Sequence, residues 1–120
     1  MITLYGLKSC DTCRKARRLF ASHHLDIRFV DLRTEGIDDK QLDRFLNEAG
    51  WQRLVNKQST TWRGLNDDDK RNIDEAKARQ LLRTHPTLIK RPLLDSGEHL
   101  VVGFDEARYD ILAESAKASH

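Results

Sequence analysis

The chain has 120 residues, with 21 Lys and Arg against 19 Asp and Glu and a formal net charge of +2. That length suits one domain with a buried core, and the near balance of charge excludes a whole-surface nucleic-acid binder. No apolar run approaches membrane-spanning length, and the first residues lack the basic, apolar, small-residue order of a secretory signal.

Met1 to Tyr5 alternates Ile2 and Leu4 and predicts a strand, with Gly6 turning the chain. From Asp11 to about His23, the residues Ala16, Leu19, Phe20 and His23 recur at helical spacing. Ile27, Phe29 and Val30 mark a second strand, parallel to the first because a helix connects them. Asp38 then caps a helix, Gln41 supplies the third position of a capping box, and Ile37 and Leu42 staple its start. Leu42, Phe45, Leu46 and Ala49 form its buried stripe, and Gly50 ends it.

Trp51 to Leu65 has no clear period and predicts irregular chain with short helical turns. Asp67-Asp68-Asp69 reads as a solvated cap or turn. A helix from Asp74 to about His85 buries Ala78, Leu81 and Leu82. Leu93-Leu94 and Leu100-Val101-Val102 predict an antiparallel hairpin around Asp95-Ser96-Gly97. Asp105 caps a last helix carrying Ala107, Ile111 and Leu112, and residues 114–120 are expected as a frayed tail. The order is β-α-β, then helices, then β-β-α. It predicts a single α/β domain over residues 1–113 with a helical insertion at about 37–86.

The chemistry concentrates in Cys10-Asp11-Thr12-Cys13, which holds both cysteines of the chain. Two cysteines cannot complete a tetrahedral zinc site, and no metal ligand set is expected. A pair at this spacing, between a strand and a helix, reads as thioredoxin-like redox chemistry. Cys10 precedes the helix, where backbone N–H groups stabilise a thiolate, and is the candidate nucleophile. Lys8, Arg14 and Arg91 are candidate positive neighbours, whereas Asp11 either opposes the thiolate or caps the helix. Cys13 is either a resolving thiol or a small packed apolar residue. A redox pair without an export signal points to the reducing cytoplasm.

Lys90-Arg91-Pro92 leads into the third strand. Arg91 offers a planar fork of donors for a carboxylate or oxyanion. Pro92 belongs at an edge or turn, where a cis bond is accessible to it. Arg14-Lys15-Ala16-Arg17-Arg18 is either a solvated basic face or an attractor of an acidic thiol such as glutathione. His23-His24 reads as a helix-end feature. Thr60-Thr61-Trp62-Arg63 is a candidate cleft lining, with Thr61 a candidate substrate contact.

The whole chain resembles the arsenate-reductase-like family, which also contains the Spx-type transcription regulators. The likeness rests on Ile2-Thr3-Leu4-Tyr5, on Ser9-Cys10-Asp11-Thr12-Cys13-Arg14-Lys15-Ala16-Arg17, on Leu88-Ile89-Lys90-Arg91-Pro92-Leu93-Leu94 and on Val102-Gly103-Phe104. Gly50-Trp51 and Thr60-Thr61-Trp62-Arg63 are similar to the YffB-type branch. The resemblance implies a thioredoxin-like fold with a helical insertion and a mixed central sheet. It implies Cys10 as the catalytic cysteine, Arg91 as the oxyanion-binding arginine and Pro92 as a cis-proline facing the cysteine.

Asn56 and Gly103 stand where arsenate reductases of this type carry further arginines. One remaining arginine is a poor cage for a doubly charged anion. The resemblance therefore implies a monomeric thiol reductase acting on a small disulfide. Glutathione is its co-substrate, and no cofactor is tightly bound. Its catalytic residues are Cys10, Cys13 and Arg91, and its substrate contacts are Lys8, Arg14, Thr61 and Pro92. The alternative is a redox-sensing adaptor of the Spx type that binds RNA polymerase. Arsenate reduction is the lesser alternative.

Overall fold

A computed structural model describes residues 2–118. Met1, expected in the first strand, and Ser119 and His120, expected in the tail, lie outside the described residues. In chain order the elements are β1 (Thr3–Gly6), α1 (Asp11–Ser22), β2 (Arg28–Asp31), α2 (Asp39–Ala49), α3 (Trp51–Leu54), α4 (Thr60–Arg63), α5 (Asp67–Lys70), α6 (Glu75–Thr84), a 3-10 turn (Pro86–Leu88), β3 (Leu93–Asp95), β4 (Leu100–Val102) and α7 (Glu106–Ala118). They form two compact units. One holds the chain up to Asp31 and again from Arg91; the other holds Leu32–Lys90.

The first unit is built on a four-stranded sheet of order β2-β1-β3-β4. β1 runs parallel to β2, while β3 is antiparallel to both β1 and β4, so the sheet is mixed. The expected parallel crossover and antiparallel hairpin are both present. Leu4, Leu94 and Val101 stand in register across three strands. They share one core with Ala16 and Phe20 of α1 and with Tyr109 and Ala113 of α7. The Phe20 and Tyr109 rings stack at 5.7 Å, and Phe104 meets Tyr109 edge-on at 5.1 Å. This is the thioredoxin-like arrangement that the resemblance implies, with α1 starting just beyond the C-terminal end of β1.

Three expectations in this unit need correction. Gly6 does not turn the chain; it is the last residue of β1 and pairs with Asp31. The inner face of α7 is Tyr109 and Ala113, whereas Ala107 is exposed and Ile111 is 67% exposed. Asp105 caps the helix as expected, its carboxylate accepting the Arg108 N–H at 3.2 Å. Tyr109 and Ala113, four residues apart, share one face, and Ile111, two residues from each, falls on the opposite one. Finally, residues 114–118 continue the helix where a frayed tail was expected.

The second unit is helical. Asp38 caps α2 by accepting the Gln41 N–H at 2.8 Å, and Gly50 closes it with a φ of 81°. Asp74 caps α6 by accepting the Lys77 N–H at 2.8 Å. Leu42, Phe45 and Leu46 of α2 and Ala78, Leu81 and Leu82 of α6 are buried, as their spacing predicts. Across those two helices, Arg79 donates to the Asp43 carboxylate at 2.5 Å. The stretch from 51 to 65 holds two single-turn helices, α3 and α4, and the three aspartates begin a third, α5, capped by Asn66. Among the described residues, no helix is long and apolar enough to cross a membrane.

Candidate active site

β1 ends at Gly6, and the next four residues carry the chain round to α1, with the Cys10 N–H donating to the Leu7 carbonyl at 3.1 Å. Cys10 is the N-cap of α1, in extended backbone with φ −84° and ψ 121°. Its own carbonyl accepts the Arg14 N–H at 3.0 Å, the first hydrogen bond of the helix. The Cys10 side chain is therefore set beside the N–H groups of the first helical turn, which have no intrahelical partner.

Both cysteines are free thiols, Cys10 half-buried and Cys13 fully buried. The two are driven in opposite directions. Partial burial pushes the Cys10 thiol up. The Cys13 and Thr12 N–H groups, the Cys13 thiol and the Arg91 guanidinium outweigh it, so the net direction is down. Burial pushes the Cys13 thiol up to about 12, against the Leu7 N–H and the Arg91 charge, which pull it down. Of the two, Cys10 gives up its proton more readily, and Cys13 holds its own and donates it as a hydrogen bond to the Cys10 sulfur.

Arg91 is half-buried and acts electrostatically on both sulfurs. The Arg91–Pro92 peptide bond is cis, and Pro92 is buried. The Pro92 carbonyl accepts the Gly103 N–H at 2.9 Å. The Gly103 carbonyl in turn accepts the Tyr109 hydroxyl at 2.8 Å. Burial pushes the Tyr109 phenol upward, so it remains a donor. The proline segment is thus hydrogen-bonded to α7 through one residue.

The arginines and Lys15 at the start of α1 meet other groups. Arg14 is ion-paired with Asp11 on the exposed face of α1, which also accounts for the Asp11 carboxylate. Lys15 lies 5.7 Å from the centre of the Phe104 ring, and Arg17 lies 4.4 Å from that of Phe29. Lys8 is exposed, and its backbone N–H donates to the Asp31 carboxylate at 3.0 Å. Thr61 belongs to the second unit, where its hydroxyl meets that of Thr87 at 2.7 Å. Asn56 also lies there, its side-chain oxygen accepting the Gln58 N–H at 3.0 Å. His23 is a helix-end feature, held between Asp110 at 2.9 Å and Glu114 at 3.1 Å.

The ArsC family model matches residues 5–112, nearly the whole chain. The protein belongs to the ArsC family. Its relatives include an uncharacterized protein of Haemophilus influenzae, 41% identical over 91% of this chain and 96% of that one. The global transcriptional regulator Spx of Enterococcus faecalis is 31% identical, covering 88% of this chain and 81% of that one. Among solved structures, a YffB protein (PA3664) is 40% identical, with a TM-score of 0.88 over 94% of this chain and 99% of that one.

Within this ArsC-family site, two residues escaped the sequence reading. Tyr109 was hidden because its ring looks like ordinary core and its hydroxyl acts on a residue six positions away. Gly6 was hidden behind the usual association of glycine with turns. Its position at the end of the strand, four residues before Cys10 and seven before Cys13, was the available signal.

Proposed function

We propose that the protein is a thiol–disulfide reductase with Cys10 as the nucleophile and glutathione as co-substrate. The observation that carries this reading is the split between the two thiols at the head of α1, Cys10 pulled down and Cys13 pushed up to about 12. A thiolate attacks a disulfide; a neutral thiol beside it stabilises that thiolate and is available for the second step.

In the first step the Cys10 thiolate attacks one sulfur of a disulfide RS–SR′. A Cys10–SR bond forms, the RS–SR′ bond breaks, and R′S⁻ leaves and takes up a proton. In the second step Cys13 loses its proton and attacks the Cys10 sulfur, releasing RS⁻. Alternatively, when R is glutathionyl, a free glutathione thiolate attacks the R sulfur instead, so that oxidised glutathione leaves and the Cys10 thiolate is restored. On the Cys13 route, two glutathione molecules then reduce the Cys10–Cys13 disulfide and leave as oxidised glutathione. Arg91 holds the carboxylate of the substrate or the charge of the sulfur. Lys8, Arg14 and Thr61 remain proposed substrate contacts. The protein acts as a monomer in the cytoplasm.

Mass spectrometry of the reduced protein mixed with oxidised glutathione tests this. A glutathione adduct on Cys10, lost in Cys10→Ser, supports the reading; an unmodified Cys10 refutes it. The Spx likeness supports a second reading, a redox switch that binds RNA polymerase. A switch changes state once per oxidation and does not turn over. Arsenate reduction is the weakest reading, because Asn56 and Gly103 offer no guanidinium to a doubly charged anion.

A further inference from the structure

Gly6 sits in ordinary strand backbone, paired with Asp31, and does not share the positive φ found at Gly36, Gly50, Gly97 and Gly103. Nothing in its backbone conformation calls for a glycine. Its surroundings do. A Cβ at residue 6 would lie 2.5 Å from the Cys13 Sγ, 3.2 Å from the Cys13 Cβ and 3.5 Å from Cε1 of Phe29. The first distance is below any real carbon–sulfur contact. The sulfur has one torsion by which to escape, and Cys13 is 0% exposed within a packed helix face. Turning that torsion withdraws the sulfur from the Leu7 N–H and from Cys10 together.

We propose that Gly6 is a positioning residue: the space left by its missing side chain is the slot that holds the Cys13 sulfur against Cys10. This rests on the reading of Cys10 as nucleophile and Cys13 as its resolving partner. With the slot open, the Cys13 thiol donates to the Cys10 sulfur in the reduced state. After Cys10 forms a mixed disulfide, the same sulfur attacks it. The Cys10–Cys13 bond then forms, the Cys10–SR bond breaks, and RS⁻ leaves with the proton that Cys13 gave up. With the slot filled, both interactions weaken together while Cys10 stays on its own N-cap.

The test is a cycle of four proteins: wild type, Gly6→Ala, Cys13→Ala and the double variant. Two rates are followed by mass spectrometry, alkylation of Cys10 by iodoacetamide across pH and release of glutathione from a preformed Cys10 adduct. A misplacement of about 1 Å costs on the order of a hundredfold in a positioned reaction. Gly6→Ala should therefore slow glutathione release by roughly ten- to a hundredfold. It should also move the pH profile of Cys10 alkylation to that of Cys13→Ala. In the Cys13→Ala background, where no sulfur fills the slot, Gly6→Ala should change alkylation by less than about twofold.

Equal effects of Gly6→Ala in the two backgrounds, or no effect in either, would overturn the proposal. Folding of the double variant but not of Gly6→Ala would support it, and failure of both to fold would overturn it. If the wild type releases no glutathione, the resolving role of Cys13 fails. The alkylation cycle still decides whether Gly6 sets the sulfur's place.

Discussion

The Tyr109 hydroxyl donates to the Gly103 carbonyl at 2.8 Å, and through Gly103 it braces the segment that carries Arg91. Gly103 has a φ of 87° and sits between β4 and α7. The bond ties the last helix to the loop beside the candidate nucleophile, within one unit of the fold.

Tyr109→Phe keeps the ring stack on Phe20 and deletes only the donor. The Gly103 carbonyl then loses a buried partner, which costs roughly 1–3 kcal/mol. Urea denaturation should show a lowered midpoint with an unchanged slope. An unchanged midpoint would mean that water replaces the hydroxyl without loss.

Limiting iodoacetamide near neutral pH should label Cys10 well before Cys13. Cys10 is half-buried and drawn below its ordinary value of 9.0, whereas Cys13 is fully buried and pushed up to about 12. The Cys10 rate should rise with pH, following its thiolate fraction, with its midpoint below that of an ordinary cysteine thiol. Peptide mapping at several pH values checks the order. Equal labelling at neutral pH contradicts it.

The same directions govern stability at high pH. The native state keeps the Cys13 proton up to about 12, while the unfolded chain loses it near 9.0. Native protein thus binds more protons between those values, so this contribution is fully present below 9.0 and is lost as pH rises to about 12. Cys10 has the opposite sign. Its depressed value adds stability that is complete above 9.0 and lost as pH falls through its native value. The Cys13 contribution is on the order of a few kcal/mol across the alkaline window. Denaturation curves at stepped pH should fall more steeply for wild type than for Cys13→Ala. Parallel curves would show that burial of the Cys13 thiol is not what holds its proton.

Much of this architecture is legible in the residues. The helical spacing of Leu42, Phe45 and Leu46, closed by Asp38 and Gly50, predicts α2 to within a residue, because caps and period agree there. Cys10 and Cys13 stand out through their spacing together with their place between a strand and a helix, and Arg91-Pro92 joins them only through likeness to a family. The last helix was harder. Ile111 reads as core by residue type, but Tyr109 and Ala113 take the inner face, and a helix that buries them leaves Ile111 in the open. Arg14 is close to the sulfur in sequence, yet the carboxylate of Asp11 one turn before it is the nearer attraction. Which of two plausible partners a long side chain chooses is a matter of three-dimensional competition that spacing does not encode.

Asp38→Ala should cost about 1 kcal/mol, the usual worth of an N-cap. The Asp38 carboxylate accepts the Gln41 N–H at 2.8 Å, and alanine offers nothing in its place. A urea midpoint lowered in Asp38→Ala and restored in Asp38→Ser would assign the loss to the cap. No change would mean that solvent satisfies the first turn of α2.

The central claim is that Cys10 is a catalytic thiolate used on disulfides, with Arg91 as its charged partner. The most direct measurement is steady-state turnover of a small mixed disulfide with glutathione, run beside arsenate, for wild type, Cys10→Ser and Arg91→Ala. The account predicts catalytic reduction of the mixed disulfide and none in Cys10→Ser. For Arg91→Ala it predicts a loss in kcat/KM of roughly ten- to a hundredfold, the worth of one hydrogen bond to a charged group. Arsenate should be reduced feebly or not at all. Efficient arsenate turnover, or full disulfide reduction by Cys10→Ser, would contradict the account.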